Sequence, residues 1–140
     1  MSETLSAIVA PTSQRRGVPA LYVGLSGDAP RSPPARLGLG GLDRVVIGRG
    51  PARRFTRARA AGGEQLDVVL PDARLSTTHV RLSRLGGGWF AEDLDSKNGT
   101  WVRGARITRQ PLADGDVLVA GHSAFVFRAT GGSSAISSRN

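Results

Sequence analysis

Cysteine is absent from the 140 residues, which excludes a disulfide framework and a thiolate metal site and leaves the fold to stand on its hydrophobic core. Histidine occurs only as His79 and His122, far apart in the chain. No metal centre and no cofactor are therefore expected. Apolar runs of about 18 residues, the length needed to cross a bilayer, are missing. The first ten residues carry Glu3 and no basic stretch ahead of an apolar one, so they do not read as a signal peptide, and the expected location is the cytoplasm. Lysine is nearly missing too: Lys97 stands alone, and the net charge of +8 is carried almost wholly by arginine. The planar arginine fork suits bidentate contacts with phosphate or carboxylate. An arginine-, alanine- and glycine-rich composition also follows from a GC-rich genome, so charge alone points to an anionic partner without saying which.

What is present is a series of short extended segments. The length suits one domain. Residues 1–17 show no sustained period and are expected to form a flexible leader. Residues 20–25 read as a first strand, followed by a loop over 26–35 that holds Pro30, Pro33 and Pro34. Strands follow over 36–39 and over 44–47, the latter a β-branched run ending at Gly48. Residues 50–65 contain Arg53, Arg54, Arg57 and Arg59 with Phe55 as their one large apolar side chain, and read as a long basic loop, with a short helix over 55–61 as an option. Residues 66–70 resume the sheet and Pro71-Asp72 stops it. In 78–85 the side chains alternate, with Val80 and Leu82 on one face. A reversal at 86–88, strands over 89–94 and 100–102, a turn at Asp114-Gly115 and a hairpin joining 117–120 to 123–128 complete the domain at 18–129. Residues 130–140, rich in glycine and serine, are expected to be a flexible tail. Strands spaced by roughly 8–12 residues without a helical period indicate an all-β sandwich.

Three pieces in turns carry the chemistry. Gly48-Arg49, Ser76-Thr77-Thr78-His79 and Asn98-Gly99-Thr100 supply an arginine, hydroxyls and a carboxamide. Arg49 offers two parallel N–H donors and Ser76 one O–H. Asn98 has both a donor and an acceptor, so it can pair with a peptide backbone whatever the side chain. Gly99 permits the positive φ that a turn presenting Asn98 needs. Ser76, His79 and Asp93 also make up the residue types of a hydrolase triad, but no Gly-x-Ser-x-Gly elbow surrounds Ser76, and an enzyme is not expected.

The ordered set Ile47-Gly48-Arg49, Ser76-Thr77-Thr78-His79, 93–100 (Asp-Leu-Asp-Ser-Lys-Asn-Gly-Thr) and Asp114-Gly115-Asp116 resembles the forkhead-associated (FHA) domain family over about residues 18–129. The resemblance implies an eleven-stranded antiparallel β-sandwich that binds phosphothreonine peptides through loops at one end. By the same resemblance Arg49 and Ser76 hold the phosphate, Asn98 holds the peptide backbone and His79 braces the loops, with Gly48 and Gly99 in structural support. Thr77 stands where the family often has arginine, and Lys97 where many members have serine or threonine; both are candidate phosphopeptide contacts. The loop after Arg49 is longer than usual, which makes Arg53, Arg54, Arg57 and Arg59 a candidate selectivity loop, the alternative being an insertion shaped by genome composition. The expected partner is a phosphothreonine-containing substrate of a Ser/Thr kinase, and the chain is expected to be the N-terminal regulatory module of a larger signalling or transcriptional regulator. A membrane partner is not expected. The competing reading is an arginine-rich nucleic-acid-binding domain, which lacks interleaved aromatics and a recognition helix.

Overall fold

β-Branched and leucine-rich segments with a period of two bury alternate side chains, and in the computed structural model these segments pair into twelve strands among the described residues. The structure describes residues 18–26 and 32–130. The expected leader, half of the proline-rich loop and all but the first residue of the tail fall outside them. The strands are β1 (Ala20–Ser26), β2 (Ala35–Gly38), β3 (Arg44–Arg49), β4 (Arg54–Ala60), β5 (Gly63–Leu70), β6 (Val80–Leu85), β7 (Gly88–Asp93), β8 (Thr100–Val102), β9 (Ala105–Arg106), β10 (Arg109–Pro111), β11 (Val117–Ala120) and β12 (Ser123–Arg128).

Two six-stranded sheets result, in the orders β2-β1-β12-β11-β8-β9 and β10-β7-β6-β3-β5-β4. Their inner faces meet in one core. Leu21, Val23, Val102, Leu118, Phe125 and Phe127 of the first sheet bury against Val45, Ile47, Leu66, Val68, Val80, Leu82 and Ala91 of the second. The expected β-sandwich is therefore the observed one, with one strand more than expected and one exception to its antiparallel pairing. That exception is β3 with β5, paired in parallel from Arg44↔Gln65 to Arg49↔Leu70. Among the described residues no helix is long and apolar enough to cross a membrane.

The segment 50–65 corrects the sequence reading. It is neither a long loop nor a helix but the hairpin of β4 with β5, paired in register from Arg54↔Val69 to Ala60↔Gly63. It reads as a loop because β4 lies at a sheet edge, where one face meets solvent and alternation is written in arginine rather than valine. Charged side chains on such an edge also discourage pairing with a second chain.

This connectivity gathers the functional segments at one end. The chain leaves β3 at Arg49, crosses to the far edge for β4, and returns as β5 between them. The end of β3, the start of β4, the end of β5, the start of β6, the end of β7 and the start of β8 thus point the same way. The connections 50–53, 71–79, 94–99 and 121–122 close that end.

Candidate functional site

Gly48 is buried where β3 meets the 76–79 turn. Backbone bonds run on either side of it, from Arg49 N to Ser76 O (3.0 Å) and from His79 N to Ile47 O (2.9 Å). A Cβ at Gly48 would penetrate the Thr77 carbonyl oxygen, so this position needs glycine for space. Gly48→Ala is expected to lower stability by roughly 1–3 kcal/mol, the scale of overpacking a rigid contact, and to weaken ligand binding by displacing Thr77 and Ser76. A denaturant melt run beside a binding titration checks it.

His79 is fully buried. Its Nδ1 accepts from the Ser76 N–H at 3.0 Å, which requires that nitrogen to be unprotonated. Its Nε2, 2.8 Å from the Gly99 carbonyl oxygen, is then the N–H that donates. Its own carbonyl accepts from Leu94 N at 2.9 Å. The imidazole thus ties the 76–79 turn to the 94–99 loop, and the His79 backbone carbonyl holds the chain where it leaves β7. Neither ring nitrogen is presented to Ser76 Oγ, so Ser76, His79 and Asp93 do not assemble as a triad.

The 94–99 loop is built around Asp93. Its carboxylate accepts from Ser96 N (3.1 Å), Ser96 Oγ (2.6 Å) and Thr100 Oγ1 (2.6 Å). Burial alone would raise the Asp93 pKa, but these hydrogen bonds outweigh it and hold the carboxyl below the usual range. The Asp93 contribution to stability is present above the ordinary carboxylate pKa and is lost as pH falls through the lowered folded value. Ser96 Oγ in turn accepts from Gly99 N (2.9 Å). Gly99 has φ +90°, a conformation that side chains rarely adopt.

The tip of this loop presents Lys97 and Asn98 beside the 71–79 segment. Lys97 N donates to Ser76 Oγ (3.0 Å), which leaves the Ser76 O–H to donate outward. Asn98 Nδ2 donates to Arg74 O (2.9 Å), leaving Oδ1 and a second N–H open. Together with Arg49, Arg74, Leu75, Ser76 and Thr77 they line a depression of about 480 Å³. Among the described residues no acidic side chain lines it. Among the described residues the Arg49, Arg74 and Lys97 side chains form no ion pair. Three cations without ion pairs among the described residues, set around one hydroxyl, give this depression the charge and the donors that suit a multiply charged anion.

Sequence reading missed two residues here. Arg74 lies between Asp72 and Ser76, in a stretch to which the sequence reading gave no role. Asp72 was read only as a strand stop, yet it is buried and its carboxylate accepts from Arg74 N (3.0 Å), His122 N (2.8 Å) and Ser123 Oγ (2.7 Å). It fastens the binding segment to the β11–β12 turn. A lone aspartate after proline carries no signal for a partner about 50 positions on.

The four arginines of the expected selectivity loop are separated by the hairpin. Arg53 Nη1 donates to Pro33 O (2.6 Å) and its guanidinium lies 5.0 Å from the Phe55 ring centre. Arg57 Nη2 donates to Gly38 O (3.3 Å) and Gly40 O (3.2 Å), joining the edges of the two sheets. Arg59 pairs with Glu64 at 2.8 Å. Of the four, Arg54 alone has neither an ion pair nor a side-chain hydrogen bond among the described residues.

The loops at one end of this β-sandwich thus present an arginine, a serine hydroxyl and a carboxamide around one depression, an arrangement chemically suited to an anion. The sequence model of the FHA domain matches residues 45–121, and the chain belongs to the FHA-domain family. It is 38% identical over 66 residues to the FHA domain-containing protein FhaA of Mycobacterium tuberculosis, covering 47% of this chain and 12% of that protein. The chain thus spans only a small part of this relative. Among solved structures it is similar to the FhaA FHA domain complexed with the intracellular domain of Rv3910, with TM-score 0.54, 28% identity, and coverage of 79% of this chain and 99% of that one. A structure described under phosphothreonine-dependent FHA domain interactions matches with TM-score 0.52, 28% identity, and coverage of 78% and 95%.

Proposed function

We propose that this domain binds phosphothreonine peptides, with the phosphate held by Arg49 and Ser76 and aided by Thr77 and Lys97, and with Asn98 pairing with the peptide backbone. The observation that carries this reading is the depression in which the Arg49 guanidinium, the outward Ser76 O–H and the Asn98 carboxamide converge. Membership of the FHA family and the phosphothreonine-dependent interactions described for a similar structure support it. The partner is a protein phosphorylated by a Ser/Thr kinase, met in the cytoplasm where kinases find ATP. The domain serves as a binding module within a larger signalling or transcriptional regulator, a reading that fits a match covering only 12% of FhaA. Nucleic-acid binding is disfavoured because Arg53, Arg57 and Arg59 are committed to partners within the chain.

The ligand's charge provides the test. A phosphothreonine carries about −1.5 to −2 charges and three acceptor oxygens, whereas a carboxylate has one charge and two oxygens in a plane. A glutamate peptide is expected to bind poorly beside its phosphothreonine counterpart, and phosphopeptide affinity should fall as pH drops through about 6, where the phosphate gains its second proton. Titration calorimetry with both peptides across that range checks this. Equal affinity for the two would exclude a phosphate-specific site.

A further inference from the structure

We propose that the outer face of the β4–β5 hairpin holds a second anion subsite, in which Arg54 takes a carboxylate or phosphate carried by the same peptide a few residues from its phosphothreonine. This rests on the phosphopeptide reading and specifies which peptides the site selects.

The register sets the geometry. Gly48 pairs with Val69 and Val69 with Arg54, so the three lie in one row across the sheet. Two inter-strand steps of about 4.8 Å put the Arg54 backbone roughly 10 Å from the residue next to Arg49. Inward-facing Leu66, Val68 and Leu70 of β5 leave Val69 to the outer face, and Arg54 opposite it shares that face. Gly48 contributes no side chain to the row. A groove of about 260 Å³ runs there, lined by Gly48, Arg54, Thr56, Asp67, Thr77 and Thr78. Thr77 also lines the phosphate depression, so the two concavities adjoin. An extended peptide advances about 3.3 Å per residue, which places an anion at Arg54 some two to four residues from the phosphothreonine.

The chemistry singles out Arg54 among its neighbours. Arg53 and Arg57 clip backbone carbonyls and Arg59 holds Glu64, while Arg54 is exposed with its planar fork unused among the described residues. Asp67, the one acid that lines the groove among the described residues, sits a row further from the site, opposite Thr56, and accepts from Gln65 Nε2 at 2.7 Å. Its charge closes the far end of the groove to anions and leaves the end at Arg54 and Thr77 as the attractive one.

The experiment uses fluorescence anisotropy with synthetic phosphothreonine peptides. One has neutral flanks; the others carry a glutamate or a phosphoserine two, three or four residues away on either side. At one of these positions wild type is expected to bind the glutamate peptide roughly fivefold more tightly than the neutral one, and the phosphoserine peptide more tightly still. The ratio should shrink as salt screens exposed charges. Arg54→Gln should bring it near one and Arg54→Glu below one, whereas Arg57→Gln should keep the wild-type ratio. Gain from phosphoserine alone would identify the second group as phosphate; gain from both, as any anion. A wild type indifferent to all second anions, or an Arg54→Gln variant with the wild-type ratio, overturns the subsite while leaving phosphothreonine binding intact. A neutral-flank peptide that fails to bind, or binds Arg49→Ala as well as wild type, overturns the phosphopeptide reading itself and the subsite with it.

Discussion

Arg49→Ala is expected to weaken binding of a phosphothreonine peptide by about 2–4 kcal/mol, the scale for removing one side of a charge-assisted pair. The Arg49 side chain is exposed and makes no ion pair among the described residues, so the folded protein does not use its charge. Its backbone N–H bond to Ser76 O survives in alanine. Stability should therefore stay within about 0.5 kcal/mol of wild type, as for a surface substitution away from any buried feature. Arg74 and Lys97 line the same depression and leave residual attraction for the phosphate. That residual is long-range and screened by salt, whereas the bidentate contact of Arg49 is not readily replaced by point charges. Calorimetry at two salt concentrations separates the two contributions. Wild-type affinity in Arg49→Ala would remove Arg49 from the site.

How much of this was legible in the sequence depends on where each signal lies. The strands that bury one face, such as β3 and β6, announce themselves by alternation, since Val45 and Ile47 or Val80 and Leu82 must share a side to reach the core. The turn residues that present chemistry were also visible, because Gly48-Arg49 and Asn98-Gly99 are local patterns with local reasons. β4 escaped detection because its inward side chains set Phe55 beside Arg57, whose guanidinium reaches over to the β2 edge. The parallel pairing of β3 with β5 was equally hidden, since no residue between Arg49 and Leu66 states which strand lies in the middle. The same holds for Asp72. Its three hydrogen-bond donors come from its own turn and from a hairpin far along the chain, and only the closed sandwich brings them together.

His79→Ala should have the opposite signature from Arg49→Ala. The ring is fully buried and satisfies both the Ser76 N–H and the Gly99 carbonyl. Alanine leaves that donor and that acceptor without a partner, each at a cost of about 1–3 kcal/mol, and opens a cavity beside the core. Water entering the gap recovers part of this. A net loss of roughly 2–4 kcal/mol in stability is expected. Binding should weaken as a consequence, because Ser76 loses the bond that fixes its backbone and the Asn98 loop loses its hold at Gly99, so the ligand must order both. The two effects are separable by linkage. Phosphopeptide at about 100 times its dissociation constant stabilises a folded receptor by about 2.7 kcal/mol. Denaturant melts with and without peptide should thus show His79→Ala unstable when free yet still stabilised by saturating ligand, while Arg49→Ala is stable and gains little at concentrations that saturate wild type. Wild-type stability in His79→Ala together with abolished binding would put the imidazole in contact with the ligand and end its assignment as the brace between the two loops.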